Sequence, residues 1–258
     1  MNRINALFQK KKKDILSIYF TAGHPKLNQT AVIIKELEAS GVDLIEVGMP
    51  FSDPVADGLV IQQSSAKALE NGMTVNLLFE QLESIRKEVS IPLILMGYYN
   101  PIMQYGVERF IEKCSNIGID GVIIPDLPLF EYKLHYKEIF DKHNIKCIFL
   151  VGPDTTDERV REIDNSSDSF IYVVSSSATT GIKTGFSDSQ ISYFARIAAF
   201  KLKNPILIGF GISDNSTYSK ACEYANGAII GSAFVKAVSA DPNVHTSVTK
   251  FISAIKGK

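Results

Sequence analysis

Residues 39–46 read Ala39-Ser-Gly-Val-Asp-Leu-Ile-Glu46, and this stretch decides the fold. Upstream, Ala31–Ala39 sets Val32, Ile33 and Leu37 at helical spacing, and Gly41 just past its end suits the left-handed stop of a helix. Apolar residues follow at once, as for a strand covered on both faces. The same junction recurs at Asn116-Ile-Gly-Ile-Asp-Gly-Val-Ile123 and at Tyr224-Ala-Asn-Gly-Ala-Ile-Ile230, each placing a glycine before a buried strand. A weak internal repeat of this kind marks a βα unit as the building block.

Outward from these junctions, short β-branched runs alternate with helical patterns along nearly the whole chain. Eight strands are predicted: Ile15–Thr21, Val42–Val47, Pro92–Met96, Gly121–Ile124, Ile145–Val151, Ser169–Val174, Pro205–Gly209 and Gly227–Ile230. The count suggests closure into an α/β fold, a single (β/α)8 barrel over residues 1–258. No Pro-rich or Ser/Gly-rich linker interrupts the series. Two additions are expected: a helix over Asn2–Lys12 closing the barrel floor, and a helix Leu59–Glu70 in the second loop, ahead of a helix Val75–Glu88.

At 258 residues the chain suits one barrel, and its 45% hydrophobic and 21% charged content excludes disorder and collagen. Lys+Arg 27 against Asp+Glu 28 lacks the positive field on which non-specific nucleic-acid binding draws. Cys114, Cys147 and Cys222 stand far apart and read as core thiols of a reducing, cytoplasmic protein. The four histidines have no metal-like spacing, so no metal is implied. The N-terminal stretch has no apolar core of a secretion signal, and no apolar run is long enough to span a bilayer, so neither a membrane nor a nucleic acid is an expected partner.

In a barrel of this type chemistry sits at the C-terminal ends of the strands. Glu46 lies there, on a face shared with Leu44 and Val42, so its carboxyl should point into the barrel mouth, where desolvation would raise its pKa towards neutrality. A salt bridge across the barrel is the alternative. The loop Gly48-Met-Pro-Phe-Ser-Asp-Pro-Val-Ala-Asp-Gly58 adds Asp53 and Asp57 between stiffening prolines; each could instead serve as a turn or helix cap. After strands seven and eight, Gly209-Phe-Gly211-Ile-Ser213 and Gly231-Ser232 open towards helices, the usual place for a phosphate in such barrels. Neither is a dinucleotide fingerprint. The segment Ser175 to Phe186, small and polar, reads as a mobile lid or an ordinary surface loop.

With these residues in view, the sequence resembles the tryptophan synthase alpha subunit family over essentially its whole length. The sharpest match is Ile45-Glu-Val-Gly-Met-Pro-Phe-Ser-Asp-Pro-Val-Ala-Asp-Gly58, supported by Thr21-Ala-Gly-His-Pro25, Tyr99-Asn-Pro-Ile102, Pro125-Asp-Leu-Pro128 and Gly209-Phe-Gly-Ile-Ser213. The resemblance implies retro-aldol cleavage of indole-3-glycerol phosphate to indole and glyceraldehyde 3-phosphate. Glu46 would be the acid/base and Asp57 the partner of the indole ring. Tyr19, Tyr172 and Phe210 would flank the substrate, with Thr180 reaching it from the lid; Gly181, Gly211, Gly231 and Ser232 would hold the phosphate. It further implies no cofactor and no Schiff-base lysine in this chain, and a pyridoxal-phosphate-dependent beta subunit as partner in an α2β2 assembly. A free-standing lyase and a regulatory subunit activating a beta chain are the competing readings. The lid departs from the family's usual Arg-x-Gly-Val-Thr-Gly, with Ser176, Ala178 and Thr179 in place of Arg, Gly and Val.

Overall fold

The computed structural model describes residues 1–175 and 185–257. Eight parallel strands, β1 Ile15–Thr21, β2 Leu44–Gly48, β3 Leu93–Met96, β4 Gly121–Ile123, β5 Lys146–Val151, β6 Ile171–Val174, β7 Ile206–Gly209 and β8 Gly227–Ile230, close in sequence order into a barrel. The expected strands are all present, with ends shifted by two residues at most. Closure follows from pairing of β1 with both β2 and β8, which leaves no free edge.

Side chains alternate along each strand and so sort into two cores. Ile15 and Tyr19 on β1, Leu44 on β2, Ile94, Ile123, Ile148, Tyr172, Leu207 and Ile229 form the inner cluster. Leu16, Ile18, Phe20, Ile45 and Val47 point the other way and pack under the helices. Val42, expected to share the face of Glu46, precedes the strand and packs in this outer core. The alternation holds only where the backbone is extended and paired.

The floor is closed as the sequence suggests. The helix Arg3–Lys10 is capped by Asn2, whose side chain accepts from the Ile4 amide at 2.9 Å and donates to the Asp120 and Asn144 carbonyls. Its Ile4 and Phe8 plug the barrel, and the Phe8 ring lies 5.7 Å from that of Phe170. Below β3 and β4 the buried Asp120 carboxylate meets Arg3 and Arg86 and accepts from the Leu93 amide.

The helix Leu59–Glu70 has the expected bounds. The helix predicted over Val75–Glu88 instead ends at Leu82, and a 3-10 turn covers Ile85–Lys87. There the Arg86 guanidinium turns in to bind the Gly118 and Ile91 carbonyls as well as Asp120, and that tertiary demand outweighs continuation of the α-helix. The three cysteines are buried and free. Among the described residues no helix is long and apolar enough to cross a membrane.

Candidate active site

Two strands bring Glu46 to the inside of the barrel. Register pairs it with Tyr19 on β1 and Ile94 on β3. Its side chain is fully buried; Ser17 donates to Oε1 at 2.8 Å, and Oε2 has no hydrogen-bond partner among the described residues. Among the described residues no cation pairs with it, so no cross-barrel salt bridge forms there. Burial pushes the carboxyl up to about 8, with the Ser17 hydrogen bond opposing the rise. Such a group is protonated at neutral pH yet ionises within reach of it, which suits transfer in both directions.

Asp57 comes from the loop after β2. It does not cap the helix that follows: the cap position is Gly58, without a side-chain hydrogen bond. Instead Tyr98, just past β3, donates to Oδ2 at 2.9 Å and accepts from the Ala56 amide, fixing both the carboxylate and the loop that carries it. Gln62 ties down the Asp57 carbonyl at 2.8 Å, and the Phe51 ring packs 5.2 Å from that of Tyr98. Partial burial raises the Asp57 pKa while the Tyr98 bond lowers it. Asp53, by contrast, is exposed and bonded to the neighbouring Ser52 hydroxyl.

Tyr19 and Tyr172 are buried within electrostatic reach of both carboxyls. Glycine makes room for each. A Cβ at Gly48 would overlap the Tyr19 hydroxyl, and one at Gly209 would overlap the Tyr172 ring. Burial raises both phenols, and the charges of Asp57 and Glu46 add to that, so both stay neutral donors. Phe210, beyond β7, faces Tyr172 with ring centroids 6.3 Å apart. It adopts φ +68, a left-handed conformation uncommon for an aromatic residue; Ser175 holds it by donating to its carbonyl at 2.6 Å.

The two glycine turns differ in a way the sequence had not separated. After Gly211, the helix Asn215–Tyr224 is closed by its own Asp214, which accepts from the Thr217 amide at 2.8 Å in a capping box. After β8, the helix Ser232–Ala240 starts at Gly231 with no side-chain cap, so among the described residues its first-turn amides have no side-chain acceptor. The open positive end is therefore the one at Gly231 and Ser232. Thr180 and Gly181 lie outside the described residues.

Glu46, Asp57, Tyr19, Tyr172 and Phe210 thus gather around the C-terminal mouth of the barrel, with Gly211, Gly231 and Ser232 at the ends of β7 and β8. Ser17, Tyr98 and Ser175 were not anticipated. Ser17 was legible in principle, two residues before Tyr19 on the inward face of an apolar strand; Tyr98 and Ser175 carry no local signal. No described group of three or more His, Cys, Asp or Glu converges as a metal site would.

The family model for the tryptophan synthase alpha chain matches residues 5–257. The chain is 57% identical over 255 residues to the tryptophan synthase alpha chain of Flavobacterium psychrophilum, covering 99% of this chain and 100% of that one. It is 54% identical to that of Bacteroides thetaiotaomicron over 256 residues, with the same coverage. Among solved structures, the tryptophan synthase subunit alpha of Legionella pneumophila superposes with a TM-score of 0.90 at 31% identity, covering 100% of this chain and 98% of the other. The A-subunit from Pyrococcus furiosus superposes at 0.87 and 35%, covering 96% of this chain and all of that one. A family model that spans nearly the whole chain, full-length relatives above 50% identity and solved structures that superpose on the same barrel agree: the chain belongs to the tryptophan synthase alpha chain family.

Proposed function

We propose that the chain cleaves indole-3-glycerol phosphate to indole and glyceraldehyde 3-phosphate as the alpha subunit of a tryptophan synthase. The observation that carries the reading is the buried Glu46 carboxyl, held by Ser17 at one oxygen and without a hydrogen-bond partner among the described residues at the other, together with an Asp57 anchored separately by Tyr98.

Breaking the carbon–carbon bond requires the indole ring to accept the electron pair. Glu46 gives its proton to ring C3, and Asp57 accepts from the ring N–H and stabilises the positive charge that develops there. Glu46, now a carboxylate, removes the proton from the glycerol hydroxyl next to the scissile bond. The oxygen becomes the aldehyde, the bonding pair returns to the ring, and Glu46 ends protonated as it began. Each proton transfer contributes on the order of 10²–10⁴-fold. Tyr19, Tyr172 and Phe210 sandwich and orient the ring. In this reading the phosphate sits on the open amides at Gly231 and Ser232, with Gly211 and Gly181 as its further contacts, and Thr180 is a substrate contact. No step calls for a cofactor in this chain, and we place residues 1–258 in one barrel domain.

A beta subunit is the partner of this reading, with pyridoxal phosphate on its side and α2β2 as the assembly, in the cytoplasm. Exposed apolar side chains support it: Val55 and Leu59 after β2, Met103 after β3, and Phe130 and Leu134 after β4 stand on segments that follow three neighbouring strands at the active-site mouth. Such a surface fits a stable interface better than a free-standing lyase. The test is indole release from indole-3-glycerol phosphate by the purified chain, alone and with the beta chain of the same source. Release that rises on adding the beta chain is expected; no release in either case would end the reading.

The phosphate site has its own test. Substitution of Gly231 would be ambiguous, because a Cβ there sits 3.3 Å from the Tyr19 ring. Ser232→Asp is cleaner: a carboxylate at a helix N-terminus favours the helix yet repels a phosphate. Glycerol phosphate should bind on the order of tenfold or more weaker by titration, with indole binding and melting temperature preserved. Unchanged glycerol phosphate binding would move the anion site elsewhere.

A further inference from the structure

Ser17 interrupts the otherwise apolar and aromatic run Ile15-Leu-Ser-Ile-Tyr-Phe20 and is completely buried. A hydroxyl is costly in such a place unless it is hydrogen-bonded, and an aliphatic side chain would pack there without that cost. Its partner is the Glu46 carboxyl, at 2.8 Å from Oε1. Register places Ser17 opposite Leu44 and Tyr19 opposite Glu46, so the hydroxyl lies one inward layer below the carboxyl and reaches it diagonally across the β1–β2 pair.

We infer that Ser17 is a positioning residue for proton transfer: by occupying Oε1 it orients the carboxyl and leaves Oε2 as the oxygen that carries and delivers the proton. This rests on the reading of Glu46 as the acid/base. An oxygen that already accepts a hydrogen bond is the poorer seat for a proton, so the neutral acid holds its proton on Oε2, which has no other partner among the described residues. When Glu46 ionises, the same donor binds the carboxylate more strongly and limits how far desolvation raises its pKa.

Other titratable groups near Glu46 do not substitute for this bond. Tyr19 from β1 and Tyr172 from β6 are held neutral by burial, and Asp57 from the loop after β2 is engaged by Tyr98. On β3 the paired residue is Ile94, which does not titrate.

The test uses the full chain with Ser17→Ala and Ser17→Thr, beside Glu46→Gln. Two quantities are followed against pH: the steady-state constants for cleavage, and the infrared band of the protonated carboxyl that disappears in Glu46→Gln. Ser17→Ala should lower kcat about tenfold with KM changed less than twofold, and should move both the kinetic limb and the infrared midpoint upward by about one pH unit. The direction is the same whichever protonation state the limb reports. Ser17→Thr, which keeps the hydroxyl, should return the midpoint towards that of the native chain. An unmoved midpoint in Ser17→Ala with an inactive Glu46→Gln would overturn the role of Ser17 alone. Normal turnover by Glu46→Gln would overturn the assignment of Glu46, and the role of Ser17 with it, whatever the infrared midpoint does.

Discussion

Glu46→Gln is expected to lower the rate of indole-3-glycerol phosphate cleavage by about 10²–10⁴-fold or more while substrate still binds, because the amide preserves the shape of the side chain but transfers no proton. In the native chain the carboxyl must be protonated to begin the reaction. With burial raising it to about 8, kcat/KM should therefore fall as pH rises through that value. The same substitution reports on stability with a definite sign. A carboxyl raised from 4.5 to about 8 on folding supports the fold below the lower value, and that support is lost as pH climbs to the upper one. Glu46→Gln should thus melt close to the native chain near pH 4, and above it from about pH 8 upward. Turnover near that of the native chain would show that the carboxyl is not the acid/base, and a melting difference independent of pH would show that burial does not raise it.

Asp57→Asn should reduce cleavage by roughly 10²–10³-fold, as expected when one preorganised electrostatic group facing a developing charge is lost. The anchoring by Tyr98 makes the effect separable from loop collapse. The introduced amide oxygen can still accept from the Tyr98 hydroxyl, and the Ala56 amide contact is untouched, so the loop should hold its shape. Tyr98→Phe keeps the ring against Phe51 but removes the donor, and should cost less than Asp57→Asn while raising the pKa of Asp57. Asp53→Asn is the control: Asp53 is exposed and contacts Ser52, and the variant should cleave at the native rate. Equal and mild effects at positions 53 and 57 would assign both to loop structure.

Much of the architecture was legible because it is written locally. A helix stop at Gly41 or Gly118 followed by an apolar run is a short-range pattern, and Gly118 does take φ +83 at its helix end. Strand alternation likewise put Glu46 and Leu44 on one face of β2, and Leu44 does lie in the inner cluster. The errors fell where distant residues compete. The helix expected to run to Glu88 gives way near Arg86, because the guanidinium is claimed by Asp120 and by carbonyls beyond the turn. Asp57 before Gly58 looks like a helix cap, and only a tyrosine 41 positions away makes it something else.

By itself, then, the sequence determined the number and order of the strands, the βα repeat, the inward face of Leu44 and Glu46 on β2, and, through the Ile45 to Gly58 motif, the family. Those are properties of neighbours in the chain, set by spacing, glycine conformation and apolar periodicity. Tertiary structure alone decided that no described cation reaches the buried Glu46, that Ser17 takes one of its oxygens, and that Tyr98 holds Asp57. It likewise decided that the helix after β8 is open while the one after β7 is closed by Asp214. The reason is that a carboxyl's pKa and a helix end's affinity for an anion depend on which dipoles and charges surround them and on how much water is excluded. In a closed barrel those surroundings come from strands and loops far apart in the chain.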